Sequence, residues 1–302
     1  MRIEHLNRDY GIKNHIKFDK GNGHLPFIFI NNARASAIIS LHGAQILSYK
    51  PHREEEDLLF VSQNSWYEEG RAIRGGIPLC WPWFGPDPLE HKRPDHGFVR
   101  NGLWDILKTE AVSKDETKIV FQFENSPKSE SYWQQPFSLE LEVIISDTLT
   151  VNLITRNTGD DSFTITQALH AYFNVGHIND IKILGLDNSS YLDKAQNEEE
   201  YQQEGHLTIN AEVNRIYKDV ENPLIIQDHA FKRKIIITAT HHKTAVVWNP
   251  GVDLPPTITD LETDDYQRFV CVESGNVSCD TIEIPPHSEF ILRANYKITK
   301  NQ

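Results

Sequence analysis

Phe137, Leu139, Leu141, Val143 and Ile145 recur at every second position, with Ser138, Glu140 and Glu142 between them. A period of two sends alternate side chains to opposite faces, so this run is read as a strand with one buried face. Leu149, Val151 and Leu153 repeat the pattern, alternating with Thr150 and Asn152. The short polar connection at Ser146, Asp147 and Thr148 makes the two runs a hairpin. Similar runs occur at FIFI, SAIISL, AQILSY, DLLFV, KIVFQF, SFTITQALHAYF, KIIIT, TAVVWN, RFVCV and EFILRANYKI. No long segment has helical period. Many short strands without interleaved helices predict an all-β sandwich or barrel, not βαβ units.

At 302 residues the chain can bury a large core, and sandwiches of this size occur as one domain. No linker, composition shift or internal repeat divides it, so residues 1–302 are expected to form a single domain. Lys+Arg is 30 against Asp+Glu 43, a formal net charge of -13, which argues against nucleic acid or an anionic membrane as partner. The first residues are polar and no stretch approaches the ~20 apolar residues of a membrane span. Cys80, Cys271 and Cys279 have no CxxC spacing and cannot all pair. A cytoplasmic protein acting on a small molecule is expected, as a monomer or weak dimer.

Two segments read as long loops. Residues 75–100 hold five prolines, and with Arg74 they gather Trp81, Trp83, Phe84, Asp95, His96 and Arg100. Aromatic rings offer flat apolar surface to a sugar, and Arg and His offer donors to hydroxyls or phosphate. The other reading of this loop is a packed excursion with buried tryptophans. Residues 187–205 are polar and acidic and read as a solvated surface excursion. In SFTITQALHAYFNV, His170 shares the parity of Thr164 and Thr166, which places it on the more polar face of its strand. It can act as a general acid or base, or simply hydrogen-bond within the sheet. Glu273 closes the apolar run RFVCVE before Ser274 and Gly275, where it can be a base at a strand end or bind a loop amide. His241 and His242 are adjacent and would point to opposite faces of a strand. No metal motif, phosphate loop or nucleophile elbow is present.

Arg74-Gly75-Gly76-Ile77-Pro78, Trp81-Pro82-Trp83-Phe84-Gly85 and His96-Gly97-Phe98-Val99-Arg100 together resemble the hexose-6-phosphate mutarotases of the aldose 1-epimerase family. Ala168-Leu169-His170-Ala171-Tyr172-Phe173, Trp248-Asn249-Pro250 and Cys271-Val272-Glu273 follow in the family's order, so the likeness covers roughly residues 25–297. The resemblance implies a large antiparallel β-sandwich of galactose-mutarotase-like (supersandwich) type. It implies cofactor-free, metal-free interconversion of the α and β anomers of a hexose 6-phosphate. His170 matches the family's catalytic acid and Glu273 its base. Arg74, His96 and Arg100 match substrate contacts, and Asp95 falls where a neighbouring contact is expected. Where the family usually carries an Asp that touches the sugar, this chain has Asn214, so a weaker neutral contact and looser discrimination among hexose 6-phosphates are expected.

The chemistry fits these residues. Ring opening needs a base for the O1 proton and an acid for the ring oxygen O5, expected on opposite sides of a small ring. Glu273 should raise the pKa of His170. Arg74 and Arg100 would form a local positive pole for phosphate, unless they are tied to Asp95 or Asp105. Two alternatives stay open: an epimerase of free aldoses, and a non-catalytic carbohydrate-binding protein on the same sandwich.

Overall fold

In the computed structural model, residues 2–196, 198–221 and 223–301 are described. The hairpin forms as its pattern predicts. Phe137–Ile145 pairs antiparallel with Leu149–Asn157, closing at Ile145 opposite Leu149. Phe137, Leu139, Leu141, Val143 and Ile145 are buried, and each side chain of this kind contributes ~1.5–3 kcal/mol by leaving water. Thr150 and Asn152 are buried too, which simple alternation did not predict. Their strand lies between two neighbours, and their polar atoms bond to Asn295 and Glu142.

This hairpin belongs to an eight-stranded antiparallel sheet. From one edge to the other it runs Ile181–Leu184, Leu224–Asp228, Arg233–Thr240, Glu289–Lys300, Leu149–Asn157, Phe137–Ile145, Glu116–Glu124 and Asp105–Ser113. A second eight-stranded sheet runs Glu199–Gln202, Ser190–Asp193, Val213–Tyr217, Thr244–Asn249, Phe269–Asn276, Gln167–Leu169 and Leu79–Cys80, with Tyr172–Asn174 also paired to Phe269–Asn276. A four-stranded meander over Ile16–Lys20, Pro26–Asn31, Ala35–Ser40 and Ile46–Pro51 completes the β structure, with a small two-stranded ladder of Phe163–Ile165 and Ile282–Ile284. This is the all-β, antiparallel architecture the strand pattern predicts.

Side chains from both large sheets and from the meander meet in one hydrophobic core. Leu169, Ala171, Val247, Val270 and Val272 turn into it from the second sheet. Alternate residues of the same strands, among them Ile216, Val246, Cys271 and Glu273, are therefore on the opposite face.

Three local expectations change. The run 163–174 is not one strand but three short ones: Phe163–Ile165 pairs with Ile282–Ile284, while Gln167–Leu169 and Tyr172–Asn174 both pair with Phe269–Asn276. Ile3–Tyr10 is a helix that the strand pattern gave no sign of; it is docked through Leu6 and through Asn7, whose side chain bonds the N–H and C=O of Phe18. The acidic segment is not a free excursion: Ser190–Asp193 and Glu199–Gln202 form the edge of the second sheet, paired by Tyr191 and Tyr201.

Candidate active site

The register of the second sheet brings the two expected catalytic residues together. Phe269–Asn276 pairs Gly275 with Ala168 and Cys271 with Tyr172. The same register places His170, in the gap between the strands Gln167–Leu169 and Tyr172–Asn174, opposite Glu273. The gap is occupied by the Pro-rich segment, because the N–H groups of His170 and Tyr172 donate to the carbonyls of Pro78 and Gly76. Gly76 permits this approach: its φ is 63°, and a Cβ there would lie 2.1 Å from the Ile46 carbonyl oxygen.

His170 Nδ1 and Glu273 Oε1 are 3.2 Å apart, with the residues only 7% and 1% exposed. The contact is off the line of a hydrogen bond, and Glu273 Oε2 has no partner. The expectation of an acid and a base on opposite sides of a sugar ring is corrected: they touch. The pKa expectation is also corrected. Burial first, then His96, Arg100 and Arg74, holds His170 well below the ordinary imidazole value. Burial likewise raises Glu273 well above the ordinary carboxylate value, against a lowering by Arg100. Loss of solvation outweighs the attraction of the pair, so charge on either group is disfavoured.

Both line a cavity of about 430 Å³. Tyr172 lies 4.9 Å from His170, nearly parallel to it, and Trp248 meets His170 edge-on at 6.3 Å. Of the two readings of the Pro-rich loop, Trp81 and Trp83 follow the second: they are buried core residues. Trp81 packs on Phe98, Trp133 and Phe137, and Arg93 covers Trp83.

Arg74 borders the cavity. Its guanidinium bonds Asp260 and the Tyr172 hydroxyl at 3.1 Å, so its partner is neither Asp95 nor Asp105. His96 and Asn214 line the cavity. Among the described residues the Asn214 side chain makes no hydrogen bond. Arg100 and Asp95 do not line it; they flank an adjoining hollow of about 280 Å³ together with Arg71 and Arg74. Arg100 donates to the Asp95 carbonyl oxygen at 2.9 Å, while its Nε is buried without a partner. From there its charge still opposes protonation of His96 and His170 and favours ionised Glu273.

The family model for aldose 1-epimerase matches residues 27–297. The chain belongs to the aldose 1-epimerase family. A "Putative glucose-6-phosphate 1-epimerase" of Escherichia coli strain K12 is 35% identical to this chain over 277 residues, covering 91% of each chain. A relative of the same name from Cenchrus ciliaris is 31% identical over 280 residues, covering 88% of this chain and 82% of its own. The crystal structure of a "putative mutarotase" from Salmonella typhimurium superposes with a TM-score of 0.90 at 30% identity, covering 97% of this chain and 96% of the other. A galactose mutarotase-like protein from Clostridium acetobutylicum shares the fold, with a TM-score of 0.76 at 14% identity.

Sequence reasoning missed Lys194, Tyr172 and Trp248 as cavity residues. Lys194 comes from the segment read as solvated and is held by Glu198 at 2.6 Å. Tyr172 and Trp248 were visible only as parts of family motifs. The parity that puts Tyr172 on the face of His170 was the signal available.

Proposed function

We propose that the chain interconverts the α and β anomers of a hexose 6-phosphate, with glucose 6-phosphate as the first substrate to test. The observation that carries this reading is the His170–Glu273 contact in a cavity bordered by Arg74.

The pair holds one proton. On Glu273 it gives a neutral acid beside a neutral imidazole; moved across the contact it gives a carboxylate beside an imidazolium. The second form is the reactive one. Glu273 removes the O1 proton while His170 protonates O5, and the C1–O5 bond breaks to give the open aldehyde. Rotation about C1–C2 presents the other face. Glu273 then returns its proton to the carbonyl oxygen as the O5 hydroxyl adds to C1 and gives its proton to His170. Both groups end as they began. General acid–base contributions of this kind are each worth ~10²–10⁴-fold.

Arg74 is the cation best placed for the phosphate. Hydrogen bonds to Asp260 and to the Tyr172 hydroxyl engage two of its five N–H groups and hold the guanidinium in place, leaving three for a ligand. Arg71 and Arg100 add positive charge in the adjoining hollow. Anomer exchange by NMR tests the reading. Glucose 6-phosphate should exchange well above its spontaneous rate and faster than glucose. Equal acceleration of both sugars would favour a free-aldose epimerase, and no acceleration of either would leave a binding protein.

A further inference from the structure

His96 and His170 lie in the same cavity with ring centroids 5.7 Å apart. Two alike imidazoles would compete for one transferable proton. Their hydrogen bonding is not alike.

The Pro-rich segment folds back so that Gly85 and His96 bond reciprocally. The His96 N–H donates to the Gly85 carbonyl oxygen at 2.7 Å, and the Gly85 N–H donates to His96 Nδ1 at 3.2 Å. Gly97 makes the return possible, since its φ is 75° and a Cβ there would lie 1.7 Å from the Trp81 carbonyl oxygen. Cys80 Sγ also lies 3.4 Å from Nδ1, and Phe84 packs edge-on against the ring at 4.7 Å. A backbone N–H can only donate, and a neutral thiol can donate weakly. Two donors therefore converge on Nδ1. A proton on Nδ1 would lose the Gly85 bond and set N–H against N–H, with only the weakly accepting Cys80 sulfur to receive it. Nε2 has no protein partner among the described residues.

We propose that the Gly85 N–H and the Cys80 thiol hold His96 as the Nε2–H tautomer, making His96 a fixed donor to a substrate oxygen and leaving His170 as the only imidazole that carries the transferable proton. Cys80 is a positioning residue: it acts through His96. The inference rests on the reading of the cavity as the site of anomer exchange and divides labour within it.

The surroundings agree. Burial first, then Arg100, Arg74 and Lys194, pushes His96 down to about 3. His170 is the other titratable ring facing it, and it is itself held neutral. Cys80 is fully buried, and burial raises its thiol far above the ordinary value, so it remains S–H. Apart from the weakly accepting Cys80 sulfur, no group facing His96 among the described residues offers Nδ1 an acceptor.

The test is long-range ¹H–¹⁵N NMR on the ¹⁵N-labelled full chain without substrate, which reads the tautomer independently of activity. His96 should show a protonated Nε2 and an unprotonated Nδ1, unchanged between pH 5 and 8. Cys80→Ala should shift the Nδ1 resonance and lower kcat/KM for glucose 6-phosphate by about twofold to tenfold, the range of one modest hydrogen bond. Cys80→Ser, which restores a donor, should recover part of both. His96→Gln, which places an amide N–H near Nε2, should retain at least about tenfold more activity than His96→Asn. An Nδ1–H signal, or titration of His96 between pH 5 and 8, would overturn the assignment. Unchanged resonance and kcat/KM in Cys80→Ala would overturn the role of Cys80. A correct tautomer in a protein that does not accelerate anomer exchange would instead sink the functional reading.

Discussion

Glu273→Gln separates the chemical and the structural roles of the buried carboxylate, because the two effects have opposite signs. The substitution keeps the side chain's shape and removes the proposed base, so anomer exchange should fall at least ~10²-fold. Stability should move the other way. The folded-state pKa of Glu273 is raised from 4.5 by burial. A raised carboxyl pKa means that the folded state holds the proton more tightly than the unfolded chain. The associated stability is complete below 4.5 and is lost as pH rises through the folded-state value. Above that value the wild type carries a buried charge whose Oε2 has no partner. Leaving such a group unsatisfied costs ~1–3 kcal/mol, and more when charged. Gln carries no charge at any pH, so the variant should be more stable than wild type by about 1 kcal/mol or more at pH 9. The difference should shrink toward zero at pH 4. One kcal/mol is worth roughly 2–4 °C in Tm for a chain of this general size. NMR exchange rates with the spontaneous rate subtracted, and thermal melts at the two pH values, measure both effects. A variant within threefold of wild-type rate would mean that another group is the base. A Tm difference equal at pH 4 and pH 9 would refute the linkage argument.

The other predictions concern pH, charge and the altered sugar contact. The rate should be flat through neutral pH, with its acid limb below 6.5, because the active pair holds one proton and burial makes His170 take up a second only below that value; an acid limb above 6.5 in a kcat/KM profile would contradict this. Arg74→Gln should weaken glucose 6-phosphate by ~1.5–3 kcal/mol while changing glucose far less, and Arg100→Ala should show smaller discrimination because Arg100 stands outside the cavity; equal losses for both sugars in Arg74→Gln would assign it to the ring or the fold. Asn214→Asp should shift affinity by ~1 kcal/mol or more and reorder glucose, galactose and mannose 6-phosphates. Unchanged KM values in the folded variant would remove Asn214 from the site.

The period-two runs and the lack of helical period were enough to read an all-β architecture, because one buried face of a strand imposes alternation. The helix at Ile3–Tyr10 escaped because eight mostly polar residues with one buried leucine leave little periodic signal. The meeting of His170 with Glu273 was legible only through the resemblance, since pairing between segments a hundred residues apart is not written in local pattern. Their closeness and opposed pKa shifts follow from register and burial, which a motif does not encode. Trp81 and Trp83 show the limit of composition: a tryptophan near Arg and His suits a sugar platform and a core alike, and the sheet decides. Lys194 escaped for a related reason, because an acidic run suggests solvent until a strand edge places one of its cations on a cavity wall.

The cavity floor is a cross-strand lattice. Leu192 stands opposite Ile216, Ile216 opposite Val246, and Val246 opposite Glu273; in the neighbouring row Asn214 stands opposite Trp248, and Trp248 opposite Cys271. Neighbouring strands fix these side chains about 4.5–5.5 Å apart at Cβ. The place of Glu273 beside the cavity floor is thus set by backbone ladders, which exchange of a single floor side chain leaves in place. New substrate preferences can then be sampled by exchanging one lattice point at a time around an undisturbed pair. For a laboratory library, positions 192, 214, 216, 246 and 248 are the ones to randomise, with 170 and 273 held constant.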